Sequence, residues 1–94
     1  MSVIDITRHH TLKHDDAIAT AEDLAKSLSE RFDVAYSWQG DTLTFKRSGA
    51  KGKLTVAPTQ IHVKMELGFL VRPFKGRIEQ EIHNHLDGML EEGQ

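Results

Sequence analysis

Hydrophobic and polar residues alternate strictly along several short segments in the middle of the chain. In the clearest one, Gln60 to Leu67, every odd-numbered position is apolar and every even-numbered position is polar. A period of two is typical of a strand with one buried face and one face in water. Turn-forming residues separate these segments, so the pattern predicts an antiparallel meander. Its four strands are Val34–Trp38, Thr42–Arg47, Gly52–Ala57 and Gln60–Leu67.

Two longer segments have apolar residues at steps of three and four, which is the spacing of an amphipathic helix. The first begins at Asp15 and Asp16 and ends near Phe32. The second has Pro73 in its first turn, where a missing backbone donor costs little, and continues to about Leu90. These stripes predict two helices that each bury one face against the sheet.

A short alternating segment, Val3–Arg8, adds one strand ahead of the first helix. The predicted order is β-α-β-β-β-β-α, an α+β fold in which a curled antiparallel sheet carries two helices packed on one face. Neither a repeat nor a linker interrupts the pattern, so residues 1–94 form a single domain, with 91–94 as a frayed tail. The other face of the sheet is polar along its length and is expected to lie in water.

The amino-acid composition argues against thiol chemistry and against a membrane span. The 94 residues include 12 Lys and Arg, 14 Asp and Glu and no cysteine, for a net charge of −2. Without cysteine, disulfides and thiolate sites are excluded. No segment approaches the roughly 20 apolar residues of a membrane span, and the start lacks the pattern of a signal peptide. We therefore expect a cytoplasmic protein with no membrane span.

The six histidines follow no recognised metal-ligand or catalytic spacing. His9, His10 and His14 precede or begin helix one, where solvated or capping roles are expected, and His83 and His85 point apart on helix two. The carboxylates fall on predicted solvent faces. Acid–base catalysis instead needs carboxylates that are half-buried in a cleft, where their proton affinity is shifted. The sequence thus predicts no metal, no cofactor and no enzymatic activity.

Positive charge is concentrated in the meander. From Thr42 to Met65 the chain holds five cations and no Asp or Glu, and alternation places Lys46, Lys53 and Lys64 on the wet sheet face. A positive face attracts polyanions, although lysines on strands also protect exposed sheet edges from pairing. Nucleic acid is not expected, because the outward positions lack aromatic residues that stack on bases.

The junction between the last strand and helix two carries two further signals. Its apolar residues either complete the core at this corner or form a contact patch for a partner. Its cations lie at the positive end of the helix dipole, so they either bind an anion there or pair with carboxylates of helix one. Gly76, in the same turn, is costly in a helix and so indicates either a packing contact or a close approach of another group. The candidate contact residues are Phe69, Leu70, Val71 and Phe74, and the candidate anion-binding residues are Arg72, Lys75 and Arg77.

Three motifs are similar to those of a known family. They are a His-Thr-Leu sequence ahead of an alanine-rich helix, the hairpin Trp38-x-Gly40-Asp41-x-Leu43-x-Phe45, and the run Leu67-Gly68-Phe69-Leu70-Val71-x-Pro73-Phe74-Lys75-Gly76-x-Ile78-Glu79. Over nearly its whole length the chain resembles the small polyhydroxyalkanoic acid system proteins of bacteria. The resemblance implies a gene beside those for polyhydroxyalkanoate storage and a role in polyester synthesis or granule formation, with no defined catalytic residues. The order of elements is also similar to a reduced helix-grip domain.

Three hypotheses follow, and they differ in the surface that acts. The first is a non-enzymatic accessory protein of polyhydroxyalkanoate storage that binds the granule surface or a granule-associated protein. The second is a small carrier of an acyl or other hydrophobic ligand between the sheet and helix two. The third and weakest is polyanion binding by the basic sheet face. The carrier's cavity would be lined by Leu43, Phe45, Val63, Met65, Ile78 and Ile82. The sequence leaves the oligomeric state open.

Overall fold

The computed structural model describes the backbone of residues 2–92 and the side chains of residues 2–88. It contains five strands and two long helices in the predicted order. A short 3₁₀ turn, Arg72–Phe74, leads into the second helix. The elements are β1 (Ser2–His9), α1 (His14–Phe32), β2 (Ala35–Gln39), β3 (Thr42–Arg47), β4 (Ala50–Val56), β5 (Gln60–Leu67) and α2 (Lys75–Glu92).

The five strands form one open antiparallel sheet in the order β1-β5-β4-β3-β2. The last four strands are the predicted meander, each hydrogen-bonded to its neighbour in sequence. The first strand pairs with β5 over its whole length, from Ser2 opposite Leu67 to His9 opposite Gln60. The chain therefore starts and ends its sheet on adjacent strands, and the predicted α+β fold is confirmed.

Several predicted boundaries were displaced by one or two residues. β4 begins at Ala50 instead of Gly52, because Gly49 adopts a φ of 86° and Ser48–Gly49 alone completes the turn. β2 begins at Ala35, since the left-handed Asp33 (φ 57°) ends α1. α2 continues to Glu92, two residues into the predicted frayed tail, and residues 93–94 lie outside the described part.

The two faces of the sheet differ as predicted. Ile61, Val63 and Met65 are at most 1% exposed, whereas Lys46 and Lys64 on the opposite face are exposed. Both helices pack against the apolar face and against each other. The helix stripe of α1 is rich in alanine, and this lets the helix lie close to the sheet. Its buried residues are Ala17, Ala21, Leu24, Ala25 and Leu28.

The space between the sheet and α2 is occupied by side chains. All six residues expected to line a ligand cavity are at most 2% exposed and belong to one continuous apolar cluster, which comprises 20 of the side chains in residues 2–88. Three open pockets among the described residues are lined by other residues. These six residues therefore lie in a close-packed core, and the space in which a ligand was expected is filled by side chains.

Within the described range, neither helix is long and apolar enough to cross a membrane.

Candidate functional site

The chain makes a tight, well-anchored turn where it leaves the sheet. The Val71 and Arg72 amides each donate to the Gly68 carbonyl at 3.1 Å, and the Gly68 amide donates to the Gly49 carbonyl at 2.7 Å. The Phe74 amide then donates to the Val71 carbonyl at 2.9 Å and begins the 3₁₀ turn. These bonds fix the backbone of Gly68–Phe74 although the segment lies largely outside the regular elements.

This turn presents large apolar side chains to solvent. Phe69 is 83% exposed, Leu70 81% and Phe74 43%, and Val3, at 44%, is the other exposed large apolar residue in the described region. Two neighbouring large apolar side chains that are each more than 80% exposed are a local apolar patch, which marks a candidate contact surface. We call Phe69, Leu70 and Phe74 the apolar knob.

Val71, the fourth predicted contact residue, belongs to the core and the prediction for it was wrong. Its side chain is only 4% exposed. A Cβ added to Gly49 would lie 2.9 Å from Val71 Cγ2, so the two segments are in close contact. The apolar run of the sequence therefore contained both the knob and the buried residue that anchors it.

The three predicted cations surround the start of α2. Arg72 and Arg77 are exposed and Lys75 is half-buried, and none of the three makes an ion pair among the side chains that are described. The ion pair that does connect the helices has its cation on α1 and its carboxylate on α2: Arg31 Nε lies 3.3 Å from Glu81 Oε2. The alternative in which the α2 cations pair with carboxylates of α1 is therefore not realised.

Gly76 does not fulfil the packing role that was predicted for it. A Cβ at this position would have no neighbour within 4 Å. The glycine is exposed at the start of α2, beside the cations and next to the knob. No contact among the described residues requires a glycine at this position.

The predicted basic sheet face is present and contains one lysine more than expected. Lys46, Lys53 and Lys64 are exposed on the outer face, and Lys51 joins them because β4 begins two residues earlier than predicted. We call these four residues the outer lysine cluster. It begins at the end of the sheet near the knob: Lys46, Lys51 and Gly68 line one open pocket of about 340 Å³.

Two carboxylates are less exposed than their helix faces suggested. Glu22 accepts hydrogen bonds from Tyr36 Oη at 2.6 Å and Trp38 Nε1 at 2.7 Å. The hydrogen bond from Tyr36, and then that from Trp38, lowers the pKa of Glu22, and the same contact raises the pKa of Tyr36. The alternation in β2 had placed both aromatic residues on one face, but only the packed structure brought α1 over them.

Glu81 is the second such carboxylate, and its side chain is only 13% exposed. It accepts a hydrogen bond from the Ser27 hydroxyl and contacts Arg31 Nε and His85 Nε2, each at 3.3 Å. The Ser27 hydrogen bond, above all, lowers the pKa of Glu81. Both carboxylates join elements of the fold to each other, which gives them a structural role.

The histidines also occupy more specific positions than solvated or capping ones. His10 is 7% exposed and bridges the Leu12 amide to the Ala57 carbonyl. His62 Nε2 lies 2.6 Å from Asp5 Oδ1 on the outer sheet face. The pair joins the adjacent strands β1 and β5, and in residues 2–88 no group of three potential metal ligands converges.

Comparison with known proteins identifies the family. No curated protein matches the chain. The family model named PHA_gran_rgn, which describes a polyhydroxyalkanoic acid system protein, matches residues 4–90. The match includes all five strands in whole or part, the knob, the outer lysine cluster and most of α2. The resemblance found in the sequence motifs is thereby confirmed, and the chain belongs to the polyhydroxyalkanoic acid system protein family.

Proposed function

We propose that this protein is a non-enzymatic accessory factor of polyhydroxyalkanoate storage in the bacterial cytoplasm, and that it acts by docking through the apolar knob. Family membership supplies the connection with polyester storage. The observation that carries the docking surface is the exposure of Phe69 and Leu70, at 83% and 81%, on a turn whose backbone is well anchored.

The anchoring matters because it lowers the cost of binding. A turn held by four backbone hydrogen bonds and by the buried Val71 loses little conformational freedom when it meets a partner. Exposed aromatic side chains in such a position serve as interface anchors in many complexes. The knob is therefore suited to insert into an apolar surface, either that of the granule or a groove on a granule-associated protein.

Arg72, Lys75 and Arg77 would act as the rim of this contact. They have no ion-pair partners among the described side chains, so their charge is available to an acidic or phosphate-bearing surface. Such rim charges chiefly increase the rate of encounter, whereas the apolar side chains slow dissociation. This division predicts different salt dependence for the two groups of residues.

The carrier hypothesis is less well supported. Its six lining residues are buried in one packed cluster, and opening a cavity there would separate α2 from the sheet. A void beside a large side chain in a core of this kind costs on the order of 2–5 kcal/mol. The fold would therefore lose much of its stability in making room for a ligand.

A granule co-sedimentation experiment tests the proposal. The Phe69→Ser/Leu70→Ser variant should lose most of its binding to isolated polyhydroxyalkanoate granules, because the apolar contact is removed while the fold is kept. The matched control is Val3→Ser, which removes an exposed apolar side chain from another surface and should bind as the wild type does.

The second arm replaces the rim, with Arg72→Gln/Lys75→Gln/Arg77→Gln expected to weaken binding at low salt and to have little effect at high salt. Protease treatment of the granules beforehand distinguishes the two partners: binding that survives indicates the granule surface, and binding that is lost indicates a granule protein. If the Phe69→Ser/Leu70→Ser variant binds granules as well as the wild type, the knob is not the docking surface.

A further inference from the structure

The outer lysine cluster holds like charges directly opposite one another. Lys53 on β4 is the register partner of Lys64 on β5, and Lys51 on β4 is the register partner of Lys46 on β3. Side chains directly opposite in an antiparallel pair have Cβ atoms about 4.5–5.5 Å apart, and like charges at that distance destabilise the sheet. The fold thus maintains two adjacent repulsive pairs in a protein whose net charge is −2.

Nearby carboxylates leave most of this charge uncompensated. Glu66 pairs with Lys51 at 3.5 Å. Asp5 is the register partner of Lys64, but its Oδ1 lies 2.6 Å from His62 Nε2 instead. Across the described side chains, Lys46, Lys53 and Lys64 take part in no ion pair.

An open pocket of about 310 Å³ lies within the cluster. This volume falls at the lower end of the range for small-molecule sites, roughly 300–1,000 Å³. The pocket is lined by Thr44, Lys51, Gly52, Lys53, Lys64 and Glu66. Three lysines and Thr44 therefore line one pocket, and its single carboxylate, Glu66, is paired with Lys51, which leaves Lys53 and Lys64 uncompensated.

The donor set defines the chemistry of an occupant. Ammonium groups only donate hydrogen bonds, so the occupant must present several acceptors, and it must carry several negative charges to relieve the lysine repulsion. Phosphoryl oxygens meet both conditions. The strand positions around the pocket present Thr42, Thr44, Thr55 and His62 and no Phe, Tyr or Trp, so a base would have no aromatic side chain to stack on.

We infer that the outer lysine cluster is a binding site for a small oligophosphate, an anion of two or more linked phosphoryl groups. Lys53 and Lys64, which are opposed across the pocket, supply the principal contacts, and Lys51 and Thr44 complete the set of donors. Binding replaces a repulsive lysine pair by two attractive contacts to one anion. This site lies on the outer face of the sheet and does not depend on the docking function of the knob.

Isothermal titration of the full chain with sodium tripolyphosphate at low salt tests this inference. The Lys53→Gln/Lys64→Gln variant should bind at least about tenfold more weakly, because two charge-assisted hydrogen bonds are removed. The matched control, Lys13→Gln/Lys26→Gln, removes the same charge from exposed positions at the start of α1 and within it and should keep the wild-type affinity.

Thermal unfolding gives an independent readout. Tripolyphosphate should raise the Tm of the wild type, because a ligand that binds only the folded state stabilises it, and should leave the Tm of Lys53→Gln/Lys64→Gln unchanged. Without ligand that variant should melt at or above the wild-type temperature, since the repulsion has been removed. The melting temperature without ligand therefore shows whether weaker binding by the variant results from unfolding or from loss of the site.

Four results would overturn the inference: no binding of tripolyphosphate by the wild type, unchanged affinity in Lys53→Gln/Lys64→Gln, equal weakening in both double variants, or tighter binding of a single-stranded RNA oligonucleotide than of tripolyphosphate. The third would show a general effect of net charge, and the fourth would identify a nucleic-acid site. The Phe69→Ser/Leu70→Ser variant should bind tripolyphosphate as the wild type does, so failure of this inference and failure of granule docking are distinguishable.

Discussion

Lys53 and Leu54 are neighbours on β4, yet their surroundings have nothing in common. Leu54 is fully buried opposite Leu43 and Val63, whereas Lys53 is exposed opposite Lys64. On the inner face the side chains pack against the helices and form one apolar cluster. On the outer face the side chains have room, and even a repulsive pair is tolerated. The comparison teaches that stability resides on one face of this sheet, which leaves the other free to serve binding.

The difference between the two faces is tested most directly by shortening one inward and one outward side chain of the same strand, β3. Phe45→Ala should lower the free energy of unfolding by about 3–5 kcal/mol, because it leaves a cavity at a fully buried site. Thr44→Ala, its outward neighbour, should change the free energy by no more than about 0.5 kcal/mol. Urea denaturation of both variants measures the difference. Similar losses in the two variants would contradict the distinction between the faces.

Adding one methyl group to the inner face should also be costly. A Cβ on Gly52 would lie 2.5 Å from Met65 Cγ and 2.8 Å from the Lys64 carbonyl oxygen, so Gly52→Ala should destabilise by about 1–3 kcal/mol. The matched control is Gly88→Ala in α2, where an added Cβ would have no neighbour within 4 Å. This substitution should stabilise the protein by about 0.5–1 kcal/mol, because alanine is favoured over glycine inside a helix. Denaturant midpoints that move in the same direction for both variants would show that the close approach at Gly52 is not limiting.

Acid should act through the carboxylates that join the helices to their neighbours. The pKa values of Glu22 and Glu81 are lowered in the folded state. Below the ordinary glutamate pKa of 4.5, the unfolded chain takes up protons at these two positions before the folded chain does. The stability that the two ionised carboxylates contribute is therefore lost progressively as the pH falls from 4.5 towards their lower pKa values in the folded state. Glu22→Gln/Glu81→Gln should therefore flatten the decrease in stability below about pH 4.5.

The control for this experiment is Asp23→Asn/Glu30→Gln, which removes two exposed carboxylates of α1. Free energies of unfolding measured by urea between about pH 7 and about pH 3 should decrease in the control as they do in the wild type. A wild-type slope in Glu22→Gln/Glu81→Gln would mean that other groups are responsible for acid sensitivity.

The smallest expected effect is a gain on the outer face. Lys53→Thr removes one member of the Lys53–Lys64 pair and adds a residue favoured in strands, so it should stabilise by about 0.2–1 kcal/mol at low salt. The gain should shrink near 1 M salt, where the Debye length is about 3 Å. Loss of stability in Lys53→Thr at low salt would show that the lysine pair is not repulsive in solution.

Much of the fold was predictable because its signals are local. The period of two in β3 and β5 assigned their faces, and the period of three and four located both helices. The residues of the knob were identified as candidates from an apolar run in a connecting segment. Local patterns could not separate Phe69 and Leu70 from Val71, because inward and outward directions in a turn depend on what the turn packs against.

The amino-acid sequence by itself determined the two-faced sheet, the order of elements, the absence of thiol chemistry and the family, since each depends on composition, periodicity or motif. Only the tertiary structure decided that β1 pairs with β5, that Lys51 joins the outer lysine cluster and that Glu22 and Glu81 bind across elements. Those features join residues distant in the chain, and their partners are fixed by the packing of the whole core instead of by any neighbour in sequence.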